Sequence, residues 1–133
     1  MKAGILTLSD KGARGERTDL SGPALTDWLG RHGVETAVYE MIPDDMELIS
    51  AKLAEWADSG AMDIILTTGG TGVSPRDVTP EATMKILERV IPGLGELMRF
   101  RSLAKTPSAA ISRAVAGIRG RTLIVNLPGS PKG

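Results

Sequence analysis

Apolar residues along this chain recur in two rhythms, which predict alternating strands and helices. The run Ala3–Leu8 is short, apolar and unbroken, as in a strand buried on both faces, and Asp63–Thr67 has the same character. Glu35–Met41 alternates polar with apolar residues at the two-residue period of a strand. A helical stripe (Leu25, Trp28, Leu29) runs from about Ser21 to His32, with Ser21 as a plausible N-cap and Gly33 as its stop. A second stripe (Leu48, Ile49, Leu53, Trp56) begins at Asp44 or Asp45 and ends at Gly60. A third helix is expected from Pro80 to about Val90, broken by Pro92-Gly93, and a fourth from Leu94 to Ala104. Ala114–Arg119 and Thr122–Val125 are expected as short strands around an Arg119-Gly120-Arg121 turn.

This order predicts one α/β domain over residues 1–133: three layers, with a mainly parallel sheet, helices on both faces and a short C-terminal strand hairpin, a Rossmann-like arrangement. In such sheets ligands bind beyond the carboxyl ends of the strands, where strand order switches. Four segments follow predicted strands: Ser9-Asp10, Ile42-Pro43-Asp44-Asp45, the stretch Thr67-Thr-Gly-Gly-Thr-Gly72, and Asn126-Leu-Pro-Gly-Ser130. If those strands are parallel, all four lie on one rim.

The glycine–threonine loop carries the most chemistry. Glycines let backbone N–H groups approach a ligand, and threonines add short hydroxyl donors. Between a strand and a helix this suits a phosphate or nucleotide, although the spacing matches neither the Walker pattern nor the dinucleotide fingerprint. A glycine-rich turn in an ordinary α/β domain is the other reading. Arg76 is either a phosphate clamp or a solvated loop residue. Asp44 is either the N-cap of the helix that follows or a carboxylate of the rim. Asp77 is harder to assign to capping, because Thr79 is available as the cap. Two carboxylates on one rim suit Mg²⁺, which takes one or two protein carboxylates plus phosphate oxygens. Asp19-Leu20-Ser21-Gly22 is a helix cap or an anion-receiving helix start. Glu96 and Arg99, one helical turn apart, form an exposed ion pair or part of the rim. His32 is expected at the surface, in the last turn of its helix.

Composition narrows the classes. The 133 residues are 41% hydrophobic and 24% charged, ordinary for a globular domain, but only 3% aromatic, so the core is aliphatic. With no cysteine there is no disulfide, thiolate metal site or cysteine nucleophile, and a cytoplasmic protein is expected. With one histidine, a Ser-His-Asp triad is not expected. Formal net charge is zero, which argues against a dedicated nucleic-acid binder, and no apolar run reaches membrane-span length. Residues 92–133 hold seven Lys/Arg against one acid, so the ends of the chain differ in sign.

Taken together, Thr67-Thr-Gly-Gly-Thr-Gly72, Arg76-Asp-Val-Thr-Pro-Glu-Ala82, Pro92-Gly-x-x-Glu-x-x-Arg99 and Asn126-Leu-Pro-Gly-x-Pro131 resemble the molybdopterin-binding family of molybdenum-cofactor biosynthesis. Ser9-Asp10 and Ile42-Pro43-Asp44 fit the same pattern, and the likeness is greatest to the stand-alone bacterial adenylyltransferases of the MogA/MoaB type. The resemblance implies a homotrimer that binds molybdopterin and Mg-ATP, transfers AMP to the terminal phosphate of molybdopterin with release of pyrophosphate, and hands the product to a molybdate-insertion protein. It implies that Asp44 and Asp77 are catalytic and hold Mg²⁺. Thr68, Gly69, Gly70, Thr71, Gly72, Pro128 and Gly129 would bind nucleotide and phosphate, and Ser9, Asp10, Ser21, Gly22, Glu96 and Ser130 the pterin. It also implies a further helix after the Leu-Pro-Gly-x-Pro turn, absent from this chain. Two rivals remain: a non-catalytic binding or scaffolding module on the same fold, and a nucleotide pyrophosphatase-type relative.

Overall fold

A computed structural model describes residues 1–15 and 18–129. The elements in order are β1 (Lys2–Leu8), α1 (Asp10–Ala13), α2 (Ser21–Arg31), β2 (Glu35–Ile42), α3 (Met46–Asp58), β3 (Ile64–Thr68), α4 (Thr79–Met84), β4 (Arg89–Val90), α5 (Pro92–Ser102), a 3₁₀ turn (Pro107–Ile111), β5 (Ala116–Arg119) and β6 (Thr122–Leu127). The six strands form one sheet in the order β2-β1-β3-β6-β5-β4. Pairings β1–β2, β1–β3 and β3–β6 are parallel, and β5 pairs antiparallel with both β6 and β4.

The core follows from strand pleating. Leu6, Leu8, Ile65 and Ile124 share one face with Ile49, Leu53 and Trp56 of α3. Ala3, Ile5, Leu66 and Val125 share the other face with Leu29 of α2. Successive side chains point to opposite faces, so helices on both sides need strands that are apolar throughout.

The structure departs from expectation at four points. The helix expected from Pro80 to Val90 stops at Met84, and Arg89–Val90 is instead an edge strand on β5. The open edge of β5 supplies partners that continued helix would forgo: Glu88 N–H donates to Ile118 O and Ile91 N–H to Ala116 O. Pro92-Gly93 does not separate helices but begins α5, where the first turn needs no proline N–H. The loop after β1 contains the short helix α1, capped by Ser9 Oγ, which accepts from Gly12 N–H. Trp28 and Leu48, expected on apolar stripes, are each half exposed.

A polar ladder ties the sheet together beneath the rim. Asn126 is fully buried; its Nδ2 donates to Thr67 Oγ1 at 3.0 Å and Thr83 Oγ1 at 3.1 Å, and its Oδ1 accepts from Val115 N–H at 3.2 Å. Asn126→Ala should therefore cost about 1–3 kcal/mol, because partners on β3, α4 and the segment before β5 lose hydrogen bonds away from water. Urea denaturation of the variant checks this.

Candidate active site

Register decides where the loops meet. Leu8 pairs with Ile42, Thr7 with Thr68, and Thr68 with Leu127, so four parallel strands end side by side. Strand order reverses between β1 and β3, since the chain passes outward to β2 before returning to β3. A cavity of about 500 Å³ opens there. Ser9, Asp44, Asp77, Ser21, Thr68–Thr71 and Gly129 are among its lining residues.

The glycine loop is held in an unusual backbone path. Gly69 and Gly70 have φ of +94° and +68°. A Cβ on Gly69 would lie 2.5 Å from Leu8 O; on Gly70 it would lie 2.2 Å from Thr79 Oγ1 and 3.0 Å from Asp44 Oδ1. Both positions thus demand glycine for conformation and for space. Gly69 N–H donates to Leu127 O, but the N–H groups of Gly70, Thr71, Gly72 and Val73 have no acceptor among the described residues. Four unpaired donors in succession match an anion.

Asp44 is not the helix cap. Asp45 fills that position, its Oδ1 accepting from Leu48 N–H at 3.0 Å. Asp44 instead exchanges backbone bonds with Asp10: Asp10 N–H donates to Asp44 Oδ2 at 3.1 Å and Asp44 N–H to Asp10 Oδ1 at 2.9 Å. Arg76 forks onto Asp10 through Nε and Nη2, both at 2.9 Å. Arg76 is therefore a strap between the loop and the end of β1. Its guanidinium holds the Asp10 carboxyl below the usual range. Asp44 Oδ1 is buried with no partner. Burial pushes the Asp44 carboxyl up, and the nearby Asp10 and Asp77 carboxylates add to that.

Asp77 Oδ2 accepts from Ser74 N–H, and Val78, not Thr79, occupies the cap position of α4. The hydroxyl of Thr79 donates to Gly69 O. Asp44 and Asp77 both line the cavity, and no lysine or arginine does so among the described residues. No group of three or more His, Cys, Asp or Glu forms a metal cluster among the described residues. The donor set fits a hard cation that takes two carboxylates and completes its shell with phosphate oxygens and water.

Several expected site residues are placed differently. Ser21 Oγ donates to Gly129 O, closing the cavity floor. The start of α2 does not await an anion: Asp19 Oδ1 already accepts from Ser21 and Gly22 N–H, at 3.0 and 3.1 Å. Gly22 is a packing glycine, since a Cβ there would lie 2.2 Å from the Tyr39 ring, and it does not line the cavity. Asp10 stands behind Asp44 and is absent from the lining, and Glu96 is exposed on α5, also outside it. Pro128 lines an adjoining apolar cleft with Met98 and Ala109. Ser130 lies outside the described residues. His32 is at the surface and stacks on Trp28. Asp19 went unrecognised as a hub: it also accepts from Thr7 Oγ1 at 2.9 Å and from Tyr39 OH. The signal was an aspartate just before a Ser-Gly-Pro helix start.

Fold and cavity together define an α/β domain with a cavity at the switch point of its sheet. Residues 4–133 match the family model described as "Probable molybdopterin binding domain", and the chain belongs to that family. It is 44% identical over 131 residues to the molybdopterin adenylyltransferase of Helicobacter pylori J99, covering 97% of this chain and 74% of the relative. It is 42% identical over 136 residues to that of Escherichia coli K12, covering 99% and 69%. The crystal structure of the molybdopterin biosynthesis enzyme MoaB from Thermus thermophilus superposes with a TM-score of 0.92 at 57% identity, covering 98% of this chain and 82% of that one.

Two outcomes follow. If the loop receives a nucleotide, Gly70→Val should abolish ATP binding, because the side chain meets Thr79 and Asp44 and the residue is held at positive φ; calorimetric titration checks it. Asp44→Asn tests the buried carboxylate. A carboxyl raised on folding is bound more tightly by protons in the native state, so stability falls as pH rises from the ordinary aspartate range through the native value. At neutral pH Asp44→Asn should melt at or above wild type. The difference should shrink once pH drops below the ordinary aspartate range, as melting curves across pH would show.

Proposed function

We propose that this protein is a molybdopterin adenylyltransferase that uses Mg-ATP to adenylylate molybdopterin and releases pyrophosphate. The observation that carries the reading is the cavity itself, which joins a row of unpaired backbone N–H groups to two carboxylates in a chain so similar to named adenylyltransferases.

In the reaction, an oxygen of the molybdopterin phosphate forms a bond to the α-phosphorus of ATP. The bond from that phosphorus to the bridging oxygen breaks, and its electron pair leaves with pyrophosphate. The attacking oxygen is already anionic near neutral pH, so no strong base is needed. Positioning and charge neutralisation are needed. The N–H groups of residues 70–72 would receive phosphoryl oxygens, with the Thr71 hydroxyl beside them, while the Thr68 hydroxyl is committed to Thr7. Ser9, Ser21 and Gly129 border the space left for the pterin. Asp44 and Asp77 would hold Mg²⁺, which when bound supplies positive charge against the triphosphate. The exposed apolar side chains Leu97, Phe100 and Leu103 of α5 and the residue after it support self-association, and a homotrimer is the proposed assembly. Hand-over of the product to a molybdate-insertion protein completes the proposal.

Mass spectrometry of the protein given molybdopterin and Mg-ATP should detect adenylyl-molybdopterin. Pyrophosphate released without molybdopterin would point to a pyrophosphatase instead, and ATP left unconsumed to a binding module. Asp77→Asn, which keeps the side-chain shape, should keep the fold and lower turnover by about 10²–10³. Near-normal turnover in the folded variant would remove Asp77 from the metal role.

A further inference from the structure

We propose that Arg113 is a positioning residue that sets the direction of the loop N–H groups and thereby builds the phosphate seat; this rests on reading that loop as the phosphate site. Arg113 lies between the 3₁₀ turn and β5, far along the chain from the loop it touches. Its backbone N–H donates to Thr71 O at 2.8 Å. Its Nε donates to Gly72 O at 2.7 Å, its Nη2 to Asp77 O at 2.6 Å, and its Nη1 to the Glu81 carboxylate. One residue therefore grips the loop at three carbonyls and the helix after it at a fourth point.

Peptide planarity turns this grip into function. In a trans peptide unit the carbonyl and the next N–H point in opposite directions, and no cis peptide bond occurs among the described residues. Drawing Thr71 O and Gly72 O onto Arg113 turns the N–H groups of Gly72 and Val73 away from Arg113. Those two are among the four donors without an acceptor among the described residues, and Gly72 itself lines the cavity. A carbonyl released from Arg113 could swing toward the phosphates and repel them. The third contact anchors Asp77 at its own carbonyl, while its carboxylate borders the cavity. The charge of the guanidinium is matched by Glu81, whose carboxyl it holds low, and Arg113 does not line the cavity. It acts through the loop and not on the substrate. Lysine cannot substitute, because a single ammonium cannot span three acceptors arranged for a planar fork.

The test compares wild type with Arg113→Ala and Arg113→Lys by two readouts. The first is the NMR order parameters of the Gly70, Gly72 and Val73 amides in ligand-free protein. These should fall from about 0.85 toward 0.6 or below in both variants, while β1 and β3 stay rigid. The second is steady-state kinetics. The KM for ATP should rise about 10- to 100-fold, the loss expected for hydrogen bonds to a charged group, with the KM for molybdopterin unchanged. A residue that merely stabilises the fold would shift both KM values with the melting temperature. If Arg113→Ala does not fold, Arg113→Lys decides alone. An unchanged loop order parameter or an unchanged ATP KM in a folded variant overturns the proposal. If wild type itself turns over no ATP, the adenylyltransferase reading has failed, and the order parameters alone then decide whether Arg113 directs the loop.

Discussion

Parallel pairing of β2, β1, β3 and β6 is the constraint on which the rest depends. Strands that run the same way in register must end together, and the pairs Leu8–Ile42, Thr7–Thr68 and Thr68–Leu127 make these four end on one rim. Each loop then meets the others without a long excursion. Ser9, Asp44, Gly69 and Gly129 come from stretches of chain far apart and border one cavity because of this alignment alone. The antiparallel strands β4 and β5 widen the sheet on the far side, and β5 leads into β6, which supplies the last of the four ends.

Beneath the rim the sheet is polar where a parallel core would usually be aliphatic. Thr68 Oγ1 donates to Thr7 Oγ1, which donates to Asp19; Asn126 bridges Thr67 and Thr83, and Thr83 donates to Thr79 O. Satisfied networks of this kind favour one arrangement, since any shift of register would leave a buried donor unpaired. The loops above are therefore mounted on strand ends that cannot slide. Against that satisfied layer, the open donors of residues 70–73 and the unpartnered Asp44 Oδ1 stand out as groups kept for something outside the chain.

Much of this was legible from periodicity. The apolar runs at Ala3–Leu8 and Asp63–Thr67 gave the central strands, the alternation after Glu35 gave β2, and the carboxyl-end argument placed the glycine loop, Asp44 and Ser9 together. Failures came where a distant partner decided. Arg89 and Val90 continue a helical stripe but form a strand, because β5 offers hydrogen bonds that local pattern does not encode. Asp44 and Asp45 are interchangeable caps by sequence, and only the Asp10 exchange separates them. Arg113 carried no local signal at all, since its partners on the loop lie 41 and 36 residues away. Glu96 and Gly22 sat in recurring motifs, yet one is exposed on α5 and the other makes room for Tyr39.

The electrostatics of the cavity give the site its logic. A cavity walled by Asp19, Asp44 and Asp77 and by no lysine or arginine among the described residues would, on its own, repel a phosphate. Two like charges about 4 Å apart cost about 4 kcal/mol at an effective dielectric constant near 20, more than a partial backbone dipole offsets. Arg76 and Arg113 do not relieve this, since Arg76 is committed to Asp10 and Arg113 to Glu81 and three loop carbonyls. Among the described residues the lining offers no cation, which suits a ligand that carries its own. That requirement favours a triphosphate accompanied by a divalent cation over a bare phosphate ester. It also gives a use to the one oxygen of the half-buried Asp44 carboxyl, Oδ1, that has no partner. Desolvation already disfavours the Asp44 charge, so a cation held there would relieve that cost, and on the proposed reading cation and phosphate would bind best together.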